Sequence, residues 1–170
     1  MRIIPPMAKS KGSASEFQIL INESEDAGTE VELKGQLVSA ALDRSMHPDG
    51  KIDISIWTRG TSHDRRSGFL LDSFRLQSLL GYLEIQPYVR KILERELAKD
   101  QERVDPEAEP IRVDVWSWAR VRLLNVYGPD RRKAKVRTSF VVQIDCDWGV
   151  DQILEATFRD GKFVEMGELG

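Results

Sequence analysis

Val136-Arg137-Thr138-Ser139-Phe140-Val141-Val142-Gln143-Ile144-Asp145-Cys146-Asp147-Trp148 decides how the rest of the chain is read. Val136, Thr138, Phe140, Val142, Ile144, Cys146 and Trp148 fall on one side of an extended chain. Arg137, Ser139, Gln143, Asp145 and Asp147 fall on the other, with Val141 out of pattern. Successive side chains of a strand point to opposite faces, so this alternation predicts a half-buried strand with one face in a core. Downstream, Ile153 to Phe158 and Lys162 to Met166 flank Asp160-Gly161, a pair that favours a two-residue hairpin turn.

Upstream of this strand, Gly128-Pro129-Asp130 reads as a turn, and Ile111 to Tyr127 is apolar and β-prone, although its first half could form a helical turn. Further back the period changes. Asp72 or Ser73 can cap a helix carrying Phe74, Leu76, Leu79, Leu80 and Leu83. Ile85, Val89, Ile92, Leu93 and Leu97 recur at helical spacing in a second helix, with Pro87 suited to its first turn. The acidic stretch from Asp100 to Pro110 is expected to end that helix and serve as a connector.

Near the start, Phe17 to Ile21 reads as a short strand followed by an acidic turn, Glu23 to Gly28. Val31, Leu33, Leu37 and Ala41 follow as a second strand, with Gly35 as a bulge. His47-Pro48-Asp49-Gly50 is a turn, and Ile52, Ile54 and Ile56 alternate with Asp53, Ser55 and Trp57 in another half-buried strand. Residues 59–68 read as a polar loop and residues 1–15 as a mobile tail, which leaves 16–170 as a single domain. Strands, then helices, then strands imply an α+β domain. A mainly antiparallel sheet is expected, with a two-helix layer inserted between its N-terminal and C-terminal strands.

Composition narrows the function. The chain has 170 residues, 41% hydrophobic and 31% charged, enough for a core without metal or disulfide. A net charge of −3 disfavours nucleic acid and anionic lipid as partners. A single cysteine, Cys146, makes an intramolecular disulfide impossible, and with no secretory apolar stretch the expected location is the cytoplasm.

Catalytic patterns were sought in the same way. The two histidines, His47 and His63, sit in expected loops without metal-ligand spacing, so neither a metal nor a cofactor is expected. Cys146 falls on the core face, where a thiol behaves as a small hydrophobe. Phosphate-binding glycine loops and a nucleophile elbow are absent. Arg131, Arg132, Lys133, Lys135 and Arg137 form a basic cluster that Arg65-Arg66 could extend, and Trp57, Trp116 and Trp118 could stack bases. The acidic total and the acidic stretch from Glu102 to Glu109 weigh against nucleic acid. Trp148 is expected in the core. Trp57, opposite in phase to its isoleucine row, belongs on the other face of the sheet as a loop-covered residue or a contact anchor.

The C-terminal half also resembles a family. Cys146-Asp147-Trp148 closes the strand Phe140 to Asp145 and leads to a hairpin ending Asp160-Gly161-Lys162-Phe163-Val164-Glu165-Met166-Gly167. Upstream lie the leucine-rich helix pair from Asp72 to Arg103, an acidic connector and Trp118 to Val126. This order resembles an uncharacterised family of small bacterial α+β domains with a Cys-x-Trp-Asp-Glu-Glu-His-Gly-Leu-Gly signature. Gly149 to Leu154 replace the later part of that signature, histidine included. Such proteins occur beside polymorphic and contact-dependent toxins, so the resemblance implies an immunity-type role. The expected function is non-enzymatic binding of another protein, a partner toxin, through Trp57, Asp145, Asp147 and Asp151. The alternatives are a divalent-cation-dependent hydrolase or nuclease using carboxylates, and a scaffold that pairs two copies as a homo-dimer.

Overall fold

The structure, a computed structural model, describes residues 2–4, 17–27, 30–59, 73–107, 114–127, 139–149 and 152–169. It is a mixed α+β fold dominated by one sheet of eight strands in the order β1 to β8: Arg2–Ile4, Phe17–Ala27, Glu30–Ser39, Lys51–Arg59, Ala119–Val126, Ser139–Cys146, Ile153–Arg159 and Lys162–Glu168. Neighbours are antiparallel except β4 and β5, which run parallel with Ile54, Ser55 and Ile56 level with Leu124, Asn125 and Val126. A parallel pair needs a long crossover. Between these two strands the chain forms helices α1 (Ser73–Glu84) and α2 (Gln86–Val104) and a short 3-10 helix, Val115–Ser117.

The alternation seen in the sequence becomes a division between two faces. Ile52, Ile54 and Ile56 of β4, Leu124 and Val126 of β5, and Phe140, Val142, Ile144 and Cys146 of β6 share one buried cluster with Leu79, Tyr82, Val89, Leu93 and Leu97 of the helices. Ile85 precedes α2 as its cap, with Pro87 in the first turn, where a missing N–H costs nothing. At the Asp160-Gly161 turn both residues have positive φ, 50° and 76°, as the tight hairpin between β7 and β8 requires.

Several boundaries differ from expectation. The acidic residues Glu23 to Asp26 continue β2, which pairs with β3 as far as Ala27 opposite Glu30. Their weak strand preference is overridden by ladder pairing, and Lys34 sits near both Glu25 (3.6 Å) and Glu32 (3.9 Å), two carboxylates directly opposite each other. Helix α2 runs on to Val104, because Asp100 to Arg103 tolerate helix and the first following proline is Pro106. Val115–Ser117 takes the helical-turn alternative, with the Asp114 carboxylate accepting from the Trp116 N–H. The bulge falls not on Gly35 but opposite it, between Ile21 and Glu23. Gly35 is what permits it: a Cβ there would lie 1.9 Å from the Leu20 carbonyl oxygen. Arg2–Ile4, within the segment read as a tail, pair with Ile19 to Ile21. Residues 60–72 and 128–138, with His63, Arg65, Arg66 and the basic cluster, lie outside the described residues.

Candidate functional site: the helix-free face of the sheet

Residues opposite in phase to the core define the second face, over which no described helix packs its buried side. The registers place Lys34, Ser55, Asn125, Val141 and Thr157 in one row across five strands. The next row toward the C-terminal ends of β4 and β5 begins with Glu32 and Trp57, with Tyr127 directly after β5. On the other side lie Gln36, Asp53, Leu123, Gln143 and Glu155.

Ser55 and Asn125 are 1% and 4% exposed although they point away from the helices. Both are short side chains level with each other on adjacent strands, and they form the floor of a depression among longer neighbours. The Ser55 hydroxyl donates to Glu32 Oε1 at 2.6 Å. Above this floor the Trp57 and Tyr127 rings stack nearly parallel, centroids 6.5 Å apart and planes 6° from each other. Arg75 of α1 fixes the backbone beneath them, its Nε donating to the Trp57 carbonyl at 2.6 Å. Burial first, then the nearby charges of Glu155 and Glu32, push the Tyr127 hydroxyl pKa up. The result is a π surface in an electronegative setting.

Asp145 and Asp147 lie elsewhere. Trp57 is level with the end of β5, whereas Asp145 pairs with Arg120 at its start, roughly 20 Å away at about 3.3 Å per residue. A bulge between Val121 and Leu123 brings both Arg120 and Arg122 toward Asp145, at 3.7 and 3.8 Å. Asp147 is exposed in the turn after β6, and Asp151 lies outside the described residues. Among the described residues, no three acidic, histidine or cysteine side chains are grouped to hold a metal ion.

The remaining residues singled out in the sequence serve packing. Cys146 is buried and its thiol pKa is pushed up to about 12, chiefly by desolvation and then by Asp100, Asp145 and Asp147, which keeps it protonated. Trp148 lies beyond the end of β6 and is half-buried, its indole N–H donating to Asp100 Oδ2 at 2.9 Å. Trp116 donates to Glu94 at 3.1 Å, and Trp118 is exposed. His47 is buried, hydrogen-bonded to the Tyr82 hydroxyl.

Sequence reasoning placed Trp57 on the correct face but missed Glu32, Asn125 and Tyr127. The parallel pairing of β4 with β5 assembles them, and no local pattern announces a pairing between strands separated by two helices. No protein-family model, curated protein or solved structure matches this chain. No described helix is long and apolar enough to cross a membrane.

Proposed function

We propose that this chain is a non-enzymatic bacterial protein-binding domain of the immunity type, which neutralises a partner toxin in the cytoplasm through the helix-free face of its sheet. The observation that carries the reading is the Trp57–Tyr127 stack beside Glu32 on that face. Tryptophan and tyrosine concentrate binding energy at protein interfaces, and a rigid strand position costs little ordering on association. Asp145 takes a secondary place, because Arg120 and Arg122 already balance its charge. The two-helix layer between the N-terminal and C-terminal strands supports the face from behind, with Arg75 holding Trp57 in place.

The test uses the full chain and the product of the neighbouring gene. Expected results are a stable complex, growth rescue of cells expressing that product, and about 30-fold weaker binding by Trp57→Ala with its thermal melt retained. No complex and no rescue would overturn the immunity reading. A Trp57→Ala protein that binds normally would move the interface elsewhere.

A further inference from the structure

The face carries a polar group that its own surroundings leave unused. Asn125 is buried, yet its side-chain amide makes no hydrogen bond. Neither of its polar atoms is both sealed from solvent and unpartnered, so the amide keeps contact with the open side of the face. Its neighbours are committed: Ser55 donates to Glu32, and Gln143 donates to Glu155 at 3.2 Å. A buried amide without a partner is costly to maintain, and a ligand group would satisfy it.

The surroundings select the chemistry of that group. The amide oxygen and the Glu32 carboxylate are acceptors and call for a donor. Glu32 and Glu155 favour positive charge, and the parallel Trp57 and Tyr127 rings favour a flat one. A lysine ammonium is a compact, strongly hydrated point charge that does not stack, whereas a guanidinium is planar, weakly hydrated and rich in donors. It also sits well over an aromatic face. Building on the protein-binding reading above, we infer that the depression between Trp57, Tyr127, Glu32 and Asn125 receives an arginine side chain of the partner protein. The guanidinium lies on the aromatic surface and donates to Glu32 and the Asn125 amide oxygen.

The probe is a blocked arginine, N-acetyl-arginine-N-methylamide, titrated into the isotope-labelled full chain while the Asn125 side-chain amide and Trp57 indole resonances are followed. The lysine and citrulline derivatives are run alongside. Saturable shifts of both resonances are expected, with arginine binding about tenfold tighter than citrulline. Glu32→Gln should lose most of that preference and Asn125→Ala should weaken arginine several-fold. Equal binding of citrulline would overturn the charge requirement, and equal binding of lysine the planar one. If Asn125→Ala fails to fold, the Glu32→Gln result decides alone. No saturable shift with any derivative would also overturn the inference, unless the triple variant Arg131→Gln, Arg132→Gln, Arg137→Gln responds where the native chain does not. That result would make the chain's own basic segment the occupant and would equally overturn a partner's arginine. Complex formation with the neighbouring gene product is read separately, so the binding reading survives a silent titration and falls only with its own test.

Discussion

His47 shows how one side chain can set a pH limit. Desolvation lowers its pKa to about 4 from an ordinary 6.5, with Asp43 opposing part of the shift. Below pH 6.5 the unfolded chain takes up a proton that the folded chain refuses. This contribution to stability is therefore complete above pH 6.5 and is lost progressively as pH falls toward 4. Its full size is about 3 kcal/mol. Tyr82, whose hydroxyl meets the ring, is itself buried and held neutral by desolvation first and Asp43 second. In His47→Gln, urea unfolding at pH 7 and pH 4.5 should differ by about 3 kcal/mol less than in the native chain. An unchanged difference would mean that the imidazole charges inside the folded protein at little cost.

Among the elements, α2 works as a clamp on three connections. Arg90 pairs with Asp43 (3.1 Å) in the loop after β3, and Glu94 accepts from Trp116 ahead of β5. Asp100 accepts from Trp148 and from Gln152 Nε2 (2.7 Å) across the connection between β6 and β7, while Arg103 holds its other oxygen at 2.8 Å. Asp100→Ala strands two donors and should cost about 2–3 kcal/mol in chemical denaturation. Hydrogen exchange should quicken at residues 147–149 and 152 while the centre of β6 stays protected. This clamp explains what was legible beforehand. The buried stripes of α2 and β6 were readable because a core repeats at fixed spacing. Asp100, taken for the start of a connector, was not readable, because its role depends on an indole and an amide about fifty residues away. The Gly35 bulge was misplaced for the same reason: the sequence marks the glycine, whereas the extra residue sits on the strand it lets approach.

At the scale of the molecule, the sheet is open and ends in β1 on one side and β8 on the other. The outer backbone groups of an end strand invite another chain to add on. On β8 the Phe163 N–H donates instead to the Tyr88 hydroxyl (3.2 Å), which reaches over from α2 while its ring packs edge-on against Phe158. Tyr88→Phe keeps that ring and frees the donor, so light scattering should show concentration-dependent association absent from the native chain. A variant that stays monomeric would assign the protection to Lys162, Glu165 and Glu168. One phenolic oxygen thus acts as a stopper. For a protein made in large amounts as a stoichiometric antidote, it separates a soluble reserve from a growing fibre.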